Sequence, residues 1–290
     1  MPNVPTNIDI IRKCITETCM GLNRNADDIT LVAVTKTHPP ELIDQALQAG
    51  ISHFGENKVQ EAVRKIPFLN SPYTGFHFIG HLQSNKINQL LHLRPFLIQS
   101  VDSFYIAGKL NQAAGNLNII QDILIQVNTT GEATKTGITL SNAVDCAVQI
   151  SSLKNIRIKG LMTIGLFSPD PNVTRPFFRD LHQMFEQIKS LEIPRVEMEY
   201  LSMGMTDDYI IALEEGSNML RIGSAIFGQR DYLDSRSKPG MTELDSRSRS
   251  GMTKLDSRSK QGMTELDSRS RSGMTDSKVR KNHPSKARFS

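Results

Sequence analysis

The chain has 290 residues, with 34 Lys+Arg, 30 Asp+Glu, 7 His and 3 Cys. Residues 233–290 hold 14 basic and 7 acidic groups, so the net charge of +4 belongs to the C-terminal stretch and the first 232 residues carry −3. A basic pI of this origin does not indicate a nucleic-acid-binding fold, and nucleic acid is not an expected partner. No run approaches the roughly 20 apolar residues of a membrane span. The start lacks the basic and apolar regions of a secretory signal. Cys14, Cys19 and Cys146 fit neither a disulfide framework nor a metal knuckle, so they read as small buried or half-buried hydrophobes in a reducing cytoplasm.

Taken in chain order, residues 8–22 carry apolar positions at helical spacing (Ile8, Ile11, Ile15, Leu22) and predict a leading helix. Short apolar runs of the buried parallel type follow at 31–35, 53–55, 76–80, 97–101, 123–127, 156–162, 196–202 and 219–223. Helical patterns are expected between them at 41–50, 57–65, 84–91, 103–114, 141–153, 175–191 and 207–216. Eight strands alternating with helices in about 230 residues predict an α/β chain folded as a (β/α)8 TIM barrel. The alternative, an open doubly wound sheet, lacks its Gly-x-Gly-x-x-Gly after the first strand.

Residues 233–290 begin with four copies of an 11-residue unit, LDSRSKPGMTE and its variants. An 11-residue period can mark a right-handed supercoil, but each unit has Gly, several Ser, and only Leu and Met as apolar residues. Such a unit cannot bury a core, so the expected division is a barrel over 1–232 and a disordered low-complexity tail over 233–290.

In such a barrel the working face lies at the C-terminal ends of the strands. Ser202 and Gly204 follow the seventh strand, and Gly223 and Ser224 follow the eighth. Small residues there suit an anion held on backbone N–H groups and hydroxyls, or else simply form caps and turns. Lys36 directly follows the first strand. A Lys against a desolvated wall loses some basicity and can attack an aldehyde, although a surface Lys or a partner for Glu56 fits the position too. A phosphate cradle beside a nucleophilic amine is what pyridoxal 5'-phosphate (PLP) requires. His38, His81 and His92 are not at metal-ligand spacing, and no metal is expected. Asp207 and Asp208 are expected to open a helix, and Glu132 and Lys135 to pair with each other or with a partner's cofactor.

The segments AVTKTHP (33–39), HFGENKVQEA (53–62), HFIGHLQSNK (77–86), VNTTGEATKTG (127–137), GLMTIG (160–165), LSMGMTDD (201–208) and LRIGSAIFGQR (220–230) occur in one order. Together they resemble the pyridoxal phosphate homeostasis protein family, also called the proline-synthase co-transcribed family, from about Ile8 to Arg230. The resemblance implies a barrel of the alanine racemase N-terminal type. It implies PLP held as a Schiff base on Lys36, with Asn57 beside it, His77 lining the ring pocket and Met162 packed on the cofactor. Ser202, Gly223 and Ser224 fall on its phosphate-binding positions, and Arg221 on the position near the pyridine nitrogen. Phe76 stands where many members have Trp, keeping an aromatic wall, and Lys58 where many have Tyr, adding a cation near the entrance. An Arg at the ring nitrogen disfavours its protonation and makes the cofactor a weak electron sink. No β-rich second domain with an opposing acid/base is expected after Arg230. The implied function is therefore cytoplasmic PLP homeostasis without a dedicated catalytic reaction. Apo PLP-dependent enzymes are the implied recipients, and a monomer or weak dimer the expected state.

Overall fold

The computed structural model describes residues 3–132, 135–166, 168 and 170–228. The repeat segment expected to be disordered, and the boundary expected at 232, lie outside the described residues.

The first helix, α1 (Val4–Gly21), starts earlier than the expected residue 8, because Val4 continues the apolar spacing, Asn3 caps the helix by accepting the Thr6 N–H and Pro5 occupies its first turn. Its buried stripe of Val4, Ile8, Ile11, Ile15 and Cys19 faces the core. Strands and helices then alternate: β1 (Thr30–Val34), α2 (Pro40–Gln48), β2 (His53–Glu56), α3 (Val59–Lys65), β3 (Gly75–Phe78), α4 (Ile87–His92), β4 (Leu97–Val101), α5 (Phe104–Asn116) and β5 (Gln121–Asn128). The two-residue strand β6 (Ile138–Thr139) precedes α6 (Ala143–Ser151), β7 (Ile156–Met162), α7 (Arg175–Ser190), β8 (Val196–Ser202), α8 (Tyr209–Glu214), β9 (Met219–Ile222) and α9 (Ser224–Phe227).

All the strand pairings are parallel. β1 joins β2 on one side and β9 on the other, and β4 pairs with β5, so eight strands close into a barrel of the expected (β/α)8 type. β6 hangs off the end of β5, Val127 opposite Ile138; two residues carry no period that a sequence reading detects. The helix expected at 84–91 is a 3-10 turn, Ser84–Lys86, running into α4. α8 is shorter than the pattern at 207–216, because the Asp208 carboxylate turns back to accept the Met205 N–H at 2.6 Å instead of capping the helix in front of it.

Closure splits the apolar residues into two layers. Val32, Leu97, Leu124, Met162 and Met219 meet inside the barrel, with Tyr200 against them. The other face of the strands packs under the helices, where Phe54 stacks on Phe76 at 5.5 Å between ring centroids. Burial on both faces explains why the strands read as continuous apolar runs. It also moves the aromatic wall expected at Phe76: this ring is buried in the layer beneath the helices. Cys19 and Cys146 are buried and Cys14 half-buried, all three as free thiols. Among the described residues, no helix is long and apolar enough to cross a membrane.

Candidate functional site

Lys36 sits in a tight turn at the C-terminal end of β1. The His38 N–H closes that turn on the Thr35 carbonyl at 3.1 Å. Thr37, the residue after Lys36, has φ of 68°, a left-handed conformation that a β-branched side chain disfavours. Its neighbours over-determine it. The Thr37 N–H donates to Glu61 Oε2 at 2.8 Å. Lys65, on the last turn of α3, donates to Glu61 Oε2 at 3.1 Å, to Glu56 Oε1 at 2.9 Å and to the Thr35 carbonyl at 2.9 Å. Thr35 Oγ1 donates to Glu56 Oε1 at 2.6 Å. The turn is thus held on both sides of Lys36 by one buried ion-pair cluster. Burial pushes the Glu56 carboxyl above its ordinary range despite its bonds from Thr35 and Lys65. Burial acts on Glu61 in the same sense, but the Thr37 N–H and Lys65 outweigh it and hold that carboxyl below the ordinary range. The sequence left Glu56 open as a partner for Lys36; the cation in contact with it is Lys65.

Half-buried Lys36 lines a cavity of about 270 Å³ together with Val34, His38, Met205, Thr206, Asp207, Arg221, Gly223, Ser224 and Gly228. The wall opposite in sequence comes from the loops after β8 and β9. Ser224 Oγ lies 3.1 Å from Thr206 Oγ1, which also accepts the Ala225 N–H at 3.3 Å. Within α9 the Ile226 and Phe227 N–H groups both donate to the Gly223 carbonyl at 2.9 Å, so the backbone amides of Gly223 and Ser224 precede the helix's own bonds at the cavity edge. A Cβ at Gly223 would meet Val34 at 3.4 Å, ordinary contact, so packing does not by itself demand glycine there. A bare backbone at the cavity edge is the remaining use for it.

Arg221 is 4% exposed. Its Nη1 donates to Ser202 Oγ at 2.7 Å and its Nη2 to the Thr163 carbonyl at 2.7 Å. Burial pushes its pKa down to about 10, opposed by the charge of Asp208, so it stays cationic at neutral pH.

Of the residues singled out from sequence, Lys36, Arg221, Gly223 and Ser224 share this cavity. Ser202 and His77 stand behind it. The Ser202 hydroxyl is fully buried and spent on Arg221 and on Gln99 Oε1, 2.7 Å away. His77 is fully buried inside the barrel between His53 and Gln99. Met162 belongs to the interior cluster. Asn57 lines a second cavity with Lys58, Val59, Gln60, Phe78, His81, Gln83 and Lys86, and its Oδ1 is buried without a hydrogen-bond partner. Lys58 lies in that second cavity, 3.9 Å from Glu61. Glu132 and Lys135 pair with each other at 2.8 Å. No metal-ligating cluster occurs among the described residues. Thr206 has no role in the sequence reading, which treats Asp207 as a helix opener and His38 only as no metal ligand, yet all three line the cavity. Thr206 had a signal, since it ends the Ser-Met-Gly-Met-Thr run after β8 with a hydroxyl.

Residues 15–231 match the family model described as alanine racemase, N-terminal domain. The chain is 38% identical over 240 residues to the pyridoxal phosphate homeostasis protein of Haemophilus influenzae, an alignment covering 81% of this chain and 100% of the relative. Among solved structures it is similar to an unknown protein from Bifidobacterium adolescentis, with a TM-score of 0.74 and 33% identity, covering 77% of this chain and 94% of that one. It is also similar to PipY of Synechococcus elongatus with PLP bound, with a TM-score of 0.64 and 31% identity, covering 74% of this chain and 100% of that one. With the barrel closed and these matches spanning its whole length, the chain belongs to the pyridoxal phosphate homeostasis protein family, on the fold of the alanine racemase N-terminal domain.

Proposed function

We propose that this protein binds pyridoxal 5'-phosphate in the Lys36 cavity and serves intracellular PLP homeostasis in the cytoplasm, without a dedicated catalytic reaction. The observation that carries this reading is the meeting of Lys36 with Thr206, Arg221, Gly223 and Ser224 around one cavity of about 270 Å³. The lining fits the cofactor chemically. It pairs a primary amine with hydroxyl and backbone donors for a phosphate dianion, and it is of a size for one compact ligand. The name of the Haemophilus influenzae relative and the PLP bound to PipY support the same ligand.

In this reading the Lys36 amine condenses with the cofactor aldehyde, releasing water and forming a reversible Schiff base. Thr206, Gly223 and Ser224 hold the phosphate, a role that passes to Thr206 from the buried Ser202. Arg221 faces the pyridine nitrogen and disfavours a second positive charge there. When bound, PLP supplies an electron sink, which an unprotonated ring nitrogen weakens. The Glu56–Lys65–Glu61 cluster keeps the Lys36 turn in its left-handed conformation, so the amine is presented without rearrangement. A carrier of this kind keeps a reactive aldehyde masked and gives it up to apo-enzymes.

An absorbance spectrum of the purified full chain after addition of PLP tests this. A visible band is expected, with loss of that band in Lys36→Ala and a borohydride-fixed adduct on the peptide containing Lys36. A protein that stays colourless at saturating PLP, or an adduct on another side chain, overturns it. One observation favours a second reading. His38 shares the cavity with Lys36 and is a candidate proton carrier for weak racemase-type chemistry. Turnover of alanine or serine chirality by purified protein, lost in His38→Asn, would establish that activity.

A further inference from the structure

A single file of polar side chains crosses the barrel interior behind the cavity. Arg221 Nη1 lies 2.7 Å from Ser202 Oγ, and Ser202 Oγ 2.7 Å from Gln99 Oε1. Gln99 Nε2 lies 2.9 Å from His77 Nδ1, and His77 Nε2 2.9 Å from His53 Nδ1. The file runs from β9 through β8, across the barrel to β4, and on through β3 to the first residue of β2. Ser202, His77 and Gln99 are fully buried, and Arg221 nearly so.

Hydrogen-bond chemistry permits one direction along this file. Arg has donors and no acceptor, so Ser202 Oγ accepts from it. The Ser202 proton then points to Gln99 Oε1, its other partner. Gln99 Nε2 consequently donates to His77 Nδ1, and its second proton points at Met219 Sδ, 3.2 Å away and able only to accept. This second contact fixes the amide orientation independently of the serine. His77 is left bare at Nδ1 and protonated at Nε2, and it donates to His53 Nδ1. Along the file each bond is donated in the direction away from Arg221. Burial, and then the neighbouring His53, hold the His77 pKa well below the ordinary imidazole value, in keeping with a neutral ring.

We propose that Gln99 is a positioning residue for Arg221. Through Ser202 it pins one edge of the guanidinium, the Thr163 carbonyl pins another, and Arg221 so held lines the cavity. This rests on the cofactor reading above, in which Arg221 meets the PLP ring, and it assigns a part in that site to a residue that does not line the cavity.

Two measurements on the full chain test it. The ring-nitrogen shifts of His77 in ligand-free protein report the direction of the file. A neutral Nε2–H ring is expected, and an Nδ1–H ring or an imidazolium overturns the proposal whether or not the protein takes PLP. The second is a double-mutant cycle read by PLP titration. Gln99→Leu is expected to weaken binding about tenfold, a loss on the order of 1.4 kcal/mol, and to move the pH at which the visible band titrates. In an Arg221→Gln background the same change should weaken binding less than about twofold. Wild-type affinity in Gln99→Leu, or fully additive losses, overturns it. Should wild type bind no PLP, the cofactor reading fails, and the role of Gln99 at that site fails with it even if the His77 ring carries the expected tautomer.

Discussion

Lys65 Nζ lies 2.9 Å from the carbonyl oxygen of Thr35, the residue that precedes Lys36. The same ammonium contacts Glu56 and Glu61, so a residue at the end of α3 governs the turn that presents the amine. Replacing one partner of a buried ion pair strands the other. Lys65→Met is therefore expected to destabilise the barrel by about 3–5 kcal/mol. Adding Glu56→Gln should recover part of that loss. Urea unfolding of the single and double variants checks both statements.

Thr206 and Ser224 are assigned to the phosphate, so their removal should separate two ligands. Thr206→Val and Ser224→Ala are each expected to weaken PLP binding by roughly ten- to a hundredfold, the range for a hydrogen bond to a charged group. Binding of pyridoxal, which carries no phosphate, should change little. Parallel titrations with the two vitamers check this, and equal losses would place the phosphate elsewhere.

Two imidazoles inside the barrel make stability depend on pH. Burial lowers the pKa of His53 and, more strongly, that of His77 below the ordinary 6.5. As pH falls below about 6.5 the unfolded chain takes up protons that the folded chain refuses. Folding is thus most favoured above that value and weakens on acidification, until the folded rings protonate as well. Melting temperature measured from pH 7.5 to 5 should fall, and His77→Gln should flatten the slope.

Gly160 interrupts the register between β7 and β8, with φ of 143°. A Cβ there would lie 1.9 Å from the Tyr200 carbonyl oxygen, which is backbone and cannot swing away. Gly160→Ala is expected to cost more than about 3 kcal/mol, from backbone strain together with the clash. Chemical denaturation, or loss of soluble protein, provides the check.

The strand runs were legible because burial on two faces writes them as unbroken apolar segments, and the helices because one buried stripe recurs every three to four residues. β6 was not legible: two residues hold no period. The start of α1 was written in the sequence, since Val4 stands four residues before Ile8 on the same stripe and Asn3 with Pro5 makes a cap, but one isolated apolar residue between polar ones is a weak period. At the site, Lys36, Gly223 and Ser224 could be read from their places after strands. The sequence reading makes Ser202 a phosphate donor at the end of its strand, yet its side chain turns inward to Arg221 and Gln99. Position at a strand end does not say which way a side chain points, and one step along a strand reverses it.

By itself the sequence determined the number and order of the eight barrel strands, the placing of an amine after the first, and the small residues after the last two, because these follow from local periodicity and chain order. Tertiary structure alone decided which of those residues meet. Closure of β9 onto β1 set Arg221 and Gly223 beside Lys36. Barrel curvature brought Gln99 of β4 to Ser202 of β8, 103 residues away. Such contacts depend on three-dimensional register and side-chain direction, and neither has a signature in a linear pattern.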